Sequence, residues 1–156
     1  MEAVLLVGAQ ASGKTTFYRQ RFAQTHERIS LDVLKTRSRE KDAVVRCLAS
    51  GRPFVVDNTN ATAADRARYI GEAKPRGYRV IGYFFRSELP ELLRRNNRRE
   101  GREKVPPAAL VATFKKLQPP SVTEGFDELY VVRIGPGDEF ALEAIAEPPP
   151  APPTRN

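Results

Sequence analysis

The chain begins MEAVLLVGAQASGKTTFYRQ (residues 1–20), and this stretch decides the fold. Residues 3–7 form a continuous apolar run of strand length, which is typical of a strand buried on both faces of a sheet. The run ends at Gly8, and residues 13–23 have the pattern of a helix. A buried strand, a glycine turn and a helix in this order predict a parallel α/β unit.

Residues 8–15 fit the pattern G-x-x-x-x-G-K-[ST]. In this pattern the backbone N–H groups of a loop surround phosphate groups, and glycines allow the close approach. Lys14 is expected to reach the β- and γ-phosphates of a nucleoside triphosphate, and the Thr15 hydroxyl to ligate the Mg²⁺ that bridges them. The residues predicted to bind ATP in this loop are Gly8, Ala9, Gln10, Ala11, Ser12, Gly13, Lys14, Thr15 and Thr16.

Strand and helix patterns alternate along the rest of the chain. Further strands are predicted at residues 28–31, 53–56, 79–85 and 129–134, and further helices at 40–49, 63–76, 90–99 and 106–117. Thr62 is predicted to cap the helix at 63–76, with Asp65 three residues later as a weaker form of the capping box. We therefore expect an α/β fold with a parallel five-stranded sheet flanked by helices. One domain is expected over residues 1–146, followed by a flexible proline-rich tail, EPPPAPPTRN, at 147–156.

The composition indicates a basic protein outside the membrane. Lys and Arg outnumber Asp and Glu by 26 to 19, and a net charge of +7 favours polyanionic partners, although a merely soluble basic surface explains it equally well. Apolar runs stay well below the ~18 residues of a membrane span. The N-terminus also lacks the basic region of a signal peptide, so we expect a cytoplasmic location.

Two acidic residues follow predicted strands. In parallel α/β sheets, ligands bind beyond the carboxyl ends of the strands, which places Asp32 and Asp57 near the phosphates. Asp32 could accept the proton of an attacking hydroxyl, or it could cap the helix that follows. Asp57 could hold Mg²⁺ directly or through water, or it could belong to a turn, since D-N-T-N is good turn chemistry.

An arginine-rich segment, ELLRRNNRREGREK, occupies residues 91–104. Arg95 and Arg99 are four residues apart and are predicted to share a helix face. Two guanidinium groups on one face suit a triphosphate clamp, and Gly101 offers a hinge for a lid. A solvated basic helix, or a patch that binds nucleic acid without catalysis, would have the same pattern.

Taken together, these motifs resemble the 5′-kinase domain of the polynucleotide kinase family. The resemblance runs from about residue 3 to 133 and rests on GAQASGKTTF, SLD, FVVDNTNATAADRARYI, RRNNRRE and PSVTEGFDEL. It implies a P-loop kinase fold with an arginine-bearing lid. It also implies transfer of the ATP γ-phosphate, with Mg²⁺, to a 5′-hydroxyl end of DNA or RNA.

The resemblance also implies roles for individual residues. Asp32 matches the general base that activates the 5′-hydroxyl, and Lys35 stands where some family members carry an arginine for acceptor contact. Asp57, Thr59 and Asn60 match the segment after the third strand that shapes the active site, and Thr59 and Asn60 are predicted to contact the acceptor.

The lid arginines that contact ATP best match Arg95 and Arg99, with Arg98 as the rival. A D-x-D-x-T phosphatase signature is missing from the sequence, which implies a kinase without phosphatase activity. Two other functions stay open at this point. One is a P-loop kinase for a small-molecule hydroxyl, and the other is a nucleotide-dependent nucleic-acid-binding module without transfer chemistry.

Overall fold

Strands and helices alternate along residues 1–145, the part of the chain that the computed structural model describes. The strands are β1 (Glu2–Val7), β2 (Glu27–Ile29), β3 (Phe54–Asp57), β4 (Arg79–Phe85), β5 (Glu128–Ile134) and β6 (Phe140–Ala144). The helices are α1 (Lys14–Arg21), α2 (Leu31–Leu34), α3 (Arg37–Ser50), α4 (Ala63–Ala73), α5 (Leu89–Arg98) and α6 (Pro107–Lys116). Over these residues, none of the helices is both long and apolar enough to cross a membrane.

The strands form one sheet in the order β2-β3-β1-β4-β5-β6. Strands β1 to β5 pair in parallel, which confirms the predicted α/β fold with its five parallel strands. The strand count differs, because β6 pairs antiparallel with β5 at the sheet edge. Strand β6 was not predicted, because it is short and only half-buried, although the turn sequence GPGD at 135–138 between two alternating segments is a hairpin signal. The predicted tail at 147–156 lies outside the described residues.

The core has one apolar cluster on each face of the sheet. Ala3 and Leu5 of β1 pack with residues of α3 and α4, whereas Val4 and Leu6 pack with residues of α1. Successive side chains of a strand point to opposite faces, so β1 is buried on both sides, as its continuous apolar run predicts. The central position of β1 between β3 and β4 brings the loop after β1 to the middle of one sheet edge.

Capping side chains fix where the helices begin. Thr62 and Asp65 form the predicted capping box at the start of α4. Thr36 caps α3, which therefore begins three residues before the predicted start at 40. Ser30 caps α2, so the predicted strand at 28–31 is wrong beyond Ile29. As a result Asp32 lies in the first turn of a short helix that directly follows β2.

Candidate active site

The loop at residues 8–13 joins β1 to α1 by a path that requires its glycines. A Cβ at Gly8 would lie 2.9 Å from Ser12 Oγ and 3.0 Å from Phe85 Cβ, so the loop and β4 leave no room for a side chain. Gly13 has a φ of 97°, in the left-handed region that favours glycine. Ala11, with a φ of 64°, adopts the same region despite its Cβ. The first N–H groups of α1 have no intrahelical partners and carry its positive dipole end, which suits a phosphate group.

Lys14 lies under this loop and is buried. Its Nζ donates to the backbone carbonyl oxygens of Gly8 and Ala9, at 2.8 Å each. Burial lowers the pKa of Lys14 to about 8, and the nearby Arg99 guanidinium acts in the same direction. The carboxylates of Asp57 and Asp32 oppose this shift. Lys14 is therefore protonated at neutral pH, although its ammonium group is poorly solvated. An anion placed beside it would stabilise the protonated form and raise the pKa of Lys14 again.

The hydroxyl of Thr15 and the carboxylate of Asp57 meet at the start of α1. Thr15 Oγ1 donates to Asp57 Oδ2 at 3.0 Å, and Asp57 is buried at the end of β3. Mg²⁺ prefers oxygen ligands and usually keeps several waters, so one carboxylate and one hydroxyl fit it. Arg28 Nε also donates to Asp57 Oδ2, at 2.8 Å, and Arg28 therefore competes with a metal for this oxygen.

Arg28 was not predicted as a site residue. It lies in the middle of β2, and its guanidinium also donates to Thr15 Oγ1 at 3.3 Å. Its place at the site could have been predicted from its position in a short strand next to β3, because the carboxyl ends of neighbouring parallel strands meet at the same sheet edge.

Asp32 lies on the rim of the cleft formed by these residues. It is exposed, and its backbone N–H donates to Ser30 Oγ at 3.2 Å. Ser30 is therefore the helix cap, which leaves the Asp32 carboxylate on the cleft side of α2. Lys35 ends α2 with a φ of 74° and also lines the cleft. The structure thus places the predicted base and the predicted acceptor-binding lysine on the same short helix.

A partly buried polar network holds the start of α2. Asn58 Oδ1 accepts a hydrogen bond from the Leu31 N–H at 2.9 Å, and Asn58 Nδ2 donates to Glu40 Oε2 at 2.9 Å. The Tyr69 hydroxyl donates to the same Glu40 carboxylate, and burial together with Glu40 raises the pKa of Tyr69. Arg37 completes the network through a 3.2 Å ion pair with Glu40. Asn58 therefore connects two core helices to the residue before Asp32.

Thr59 and Asn60, both predicted to contact the acceptor, line the cleft in different ways. The Thr59 carbonyl accepts a hydrogen bond from the Gly8 N–H at 3.0 Å, and its side chain is half-buried. Asn60 is buried, and its Nδ2 donates to the Leu6 carbonyl at 2.7 Å. The Asn60 amide is thus directed at the strands and supports the loop.

The structure brings one of the two predicted lid arginines to the cleft. Helix α5 ends at Arg98 and Arg99 has extended backbone angles, so Arg95 and Arg99 do not share a helix face. Arg99 lines the cleft together with Arg102, which was not predicted as a site residue. Arg95 pairs with Glu91. Arg95 and the rival Arg98 both line a separate cavity of about 220 Å³. The prediction from helical spacing failed because the helix ends one residue too early.

The cleft has room for a nucleotide and is positively charged. Its volume is about 740 Å³, within the range of ligand sites in proteins. The basic residues that line it are Lys14, Arg19, Arg28, Lys35, Arg37, Arg99 and Arg102. The acidic residues that line it are Asp32, Asp57, Asp65 and Glu103. This surplus of cations fits a triphosphate and leaves further positive charge on the side of Lys35 and Arg37.

Comparison with known proteins gives the family and the fold of the chain. Residues 4–120 match the family described as AAA domain. Over 130 residues, which cover 80% of the chain, the sequence is 32% identical to the bifunctional polynucleotide phosphatase/kinase of Schizosaccharomyces pombe. This similarity confirms the resemblance that the motifs indicated. The chain spans about a third of the length of that curated relative (32%).

Solved structures share the fold at low sequence identity. Chaetomium thermophilum Kti12 in complex with ADP-AlF3 aligns with a TM-score of 0.62 and 20% identity, over 84% of this chain and 88% of that chain. A gluconokinase from Sinorhizobium meliloti 1021 aligns with a TM-score of 0.58 and 18% identity, over 85% and 82% of the two chains. At such identities these likenesses show the fold alone. Because the family match covers well over half of this chain, the chain belongs to the AAA domain family and has a P-loop kinase fold.

Proposed function

We propose that this chain is an ATP-dependent kinase that transfers the γ-phosphate of ATP to a 5′-hydroxyl end of DNA or RNA. The observation that carries the proposal is the exposed carboxylate of Asp32, on the rim of the cleft in which Lys14 and Thr15 lie. A site for nucleotide binding alone needs no base at that position. A phosphotransferase with a hydroxyl acceptor does need one.

On the ATP side, the residues of the loop and lid stabilise negative charge. The N–H groups of the loop bind the phosphates, and Lys14 reaches the β- and γ-phosphates from beneath the loop. Arg99 and Arg102 also line the cleft and add positive charge there. Thr15 and Asp57 would hold Mg²⁺, which when bound neutralises charge on the β- and γ-phosphates. Arg95 has no phosphate contact in this proposal, because it lines the separate cavity.

On the acceptor side, Asp32 accepts the proton of the attacking hydroxyl. The hydroxyl oxygen forms a bond to the γ-phosphorus while the bond from that phosphorus to the bridging oxygen breaks, which leaves ADP with the electron pair. Lys14 and Arg99 stabilise the charge that develops on the transferred group and on ADP. Positioned groups of this kind act mainly by orientation and electrostatic stabilisation.

A polynucleotide acceptor is supported by charge and by similarity. Lys35 and Arg37 place two cations beside Asp32, where a phosphate backbone entering the cleft would lie. The S. pombe relative is named as a polynucleotide phosphatase/kinase, and its similarity covers most of this chain. The proposal concerns the kinase reaction alone, since the chain spans only part of that relative.

Labelled phosphate transfer tests the proposal directly. The protein is incubated with γ-labelled ATP, Mg²⁺ and, in parallel, 5′-hydroxyl DNA, 5′-hydroxyl RNA, nucleosides, sugars and small alcohols. We expect label on the oligonucleotides, and a KM for oligonucleotide that rises steeply with salt because binding releases counterions. Label on a sugar or small alcohol alone would identify a small-molecule kinase. Nucleotide-dependent oligonucleotide binding without any transfer would identify a non-catalytic module.

The role of Asp32 is tested with a matched pair of variants. Asp32→Asn should lower kcat by about 10²–10⁴-fold, because the amide cannot accept the proton, while ATP affinity stays within about twofold. Asp42→Asn removes the same charge from an exposed position on α3 and should leave both quantities unchanged. An Asp32→Asn enzyme with most of its kcat would refute the assignment of Asp32 as the base.

A further inference from the structure

One side chain joins the two ends of the segment that carries Arg99 and Arg102. Asn96, in the last turn of α5, donates from Nδ2 to the Val105 carbonyl at 2.7 Å. It also accepts at Oδ1 from the Val105 N–H at 3.0 Å. The amide thus satisfies both backbone groups of Val105, as a neighbouring strand would, and it closes residues 97–104 into a loop.

This clamp is shielded from water and anchored to the core. Asn96 is 1% exposed, so water does not readily replace either hydrogen bond. Val105 packs against the apolar cluster of Ala9, Leu92 and Leu110. Ala9 belongs to the phosphate-binding loop, and the clamp therefore fixes the arginine-bearing loop relative to the site of the phosphates.

Inside the clamped loop, the position of Arg99 is further restricted. Its Nη1 donates to the Glu103 carbonyl at 3.1 Å, across the same loop. Its charge lies close enough to Lys14 to lower the pKa of that lysine. Two cations held at such a distance repel each other, so a restraint is needed to keep the guanidinium over the cleft.

We infer that Asn96 is a positioning residue for Arg99 and Arg102. It holds the two ends of their loop together and so acts through these two arginines. The inference rests on the proposed function only in assigning these arginines to the phosphates of ATP. Loop closure lowers the entropy that must otherwise be lost when flexible arginine side chains bind a phosphate. Without the clamp, the loop would open and the arginines would spend less time over the cleft.

Limited proteolysis tests the clamp with a matched pair of amides. Asn96→Ala removes both hydrogen bonds to Val105, whereas Asn97→Ala removes the exposed neighbour, whose Oδ1 only accepts from Lys104 Nζ at 3.3 Å. Trypsin cleaves after arginine and lysine, so cleavage within 98–104, mapped by mass spectrometry, reports loop opening. We expect about tenfold faster cleavage there in Asn96→Ala and no change in Asn97→Ala. Equal rates in the two variants would overturn the inference.

A kinetic double-mutant cycle then distinguishes positioning from a general loss of structure. Asn96→Ala should lower kcat/KM for ATP about tenfold when Arg99 and Arg102 are present, but less than about twofold in a background that carries both Arg99→Ala and Arg102→Ala. Additive effects would show that Asn96 does not act through these two arginines and would overturn the inference. Any reaction that consumes ATP, with or without an oligonucleotide, serves as the assay.

A measurement on the unmodified protein covers the case in which Asn96→Ala fails to fold. Hydrogen exchange of the Val105 amide should be at least about a hundredfold slower than that of the amides in residues 100–103, since its N–H is bonded to a buried acceptor. Equally fast exchange would mean that the clamp does not persist in solution. Neither proteolysis nor exchange needs the acceptor, so a failure of the clamp and a failure of the proposed function are distinguishable.

Discussion

The affinity of the protein for ATP should fall steeply above pH 8, because Lys14 loses its proton there. In the free protein burial lowers the pKa of Lys14 to about 8, from an ordinary value of 10.5. A bound triphosphate supplies negative charge beside Nζ and raises that pKa again. Above pH 8 the free protein must therefore take up a proton when it binds ATP, and below pH 8 it already carries that proton.

The size of the effect follows from the linkage of protons and ligand. Where one proton is taken up on binding, the dissociation constant rises about tenfold per pH unit, so ATP should bind about tenfold more weakly at pH 9 than at pH 7. The stability of the ligand-free protein changes in the opposite direction. Between pH 8 and 10.5 the unfolded chain holds the Lys14 proton and the folded chain does not. The free energy of unfolding therefore increases as pH rises, by up to about 3 kcal/mol.

Isothermal titration calorimetry measures both the affinity and the proton uptake. Titrations of ATP at constant free Mg²⁺, at pH 7, 8 and 9 and in buffers with different ionisation enthalpies, should show uptake of about one proton at pH 9 and almost none at pH 7. In Lys14→Met, which binds more weakly, this pH dependence should disappear. A wild-type affinity that stays flat up to pH 9.5, without proton uptake, would refute the assignment of a depressed pKa to Lys14.

Three further substitutions test the supports of the site. Arg66→Met should lower the free energy of unfolding by about 3–5 kcal/mol in urea titrations, because its buried guanidinium pairs through two nitrogens with Glu124 and the substitution leaves that carboxylate unpaired. Arg28→Gln should raise the affinity for Mn²⁺, measured by electron paramagnetic resonance, by several-fold, because it frees Asp57 Oδ2 from a competing cation. Asn58→Ala should lower kcat about tenfold with little change in ATP affinity, because it removes the acceptor that holds the start of α2.

Arg66→Met has a control within the chain, and each of the other two variants has a result that would contradict it. Arg68 lies on the same helix as Arg66 but is more than half exposed, so Arg68→Met should change stability by less than about 0.5 kcal/mol. Similar losses in the two variants would contradict the importance of the buried pair. Unchanged Mn²⁺ binding in Arg28→Gln would mean that the metal does not use Asp57. A loss of ATP affinity equal to the loss of kcat in Asn58→Ala would show a general disruption.

The sequence predicted those parts of the molecule that depend on local chemistry. Three features depend only on residues that are close together in the sequence: the apolar run before Gly8, the motif that ends at Thr15, and the capping pair of Thr62 and Asp65. The placement of Asp57 beside Thr15 also follows from the order of parallel strands. Apart from this contact between Asp57 and Thr15, these features needed no knowledge of distant contacts.

Features that depend on distant partners were not predictable in the same way. Helix α5 ends at Arg98, close to the hydrogen bonds that join Asn96 to Val105 nine residues later, and spacing within the helix does not reveal such a partner. Arg28 enters the site because its strand lies next to β3, and β6 exists because β5 offers it a free edge. Errors about Arg95 and about the strand count therefore have one cause, since tertiary contacts override local patterns.

The supports of the phosphate-binding loop come from the far end of the chain. Gln10 Nε2 donates to Thr113 Oγ1, 103 residues later, and a Cβ on Gly13 would meet Ile134 and Phe140 at 3.1 Å. On a ribosome, the segments that pack on the loop emerge more than 100 residues after it. The left-handed backbone of the loop can then be held only late in folding, because contacts of such high sequence separation form slowly. A nascent chain should consequently acquire its affinity for ATP in one late step, after β5 and β6 have left the exit tunnel.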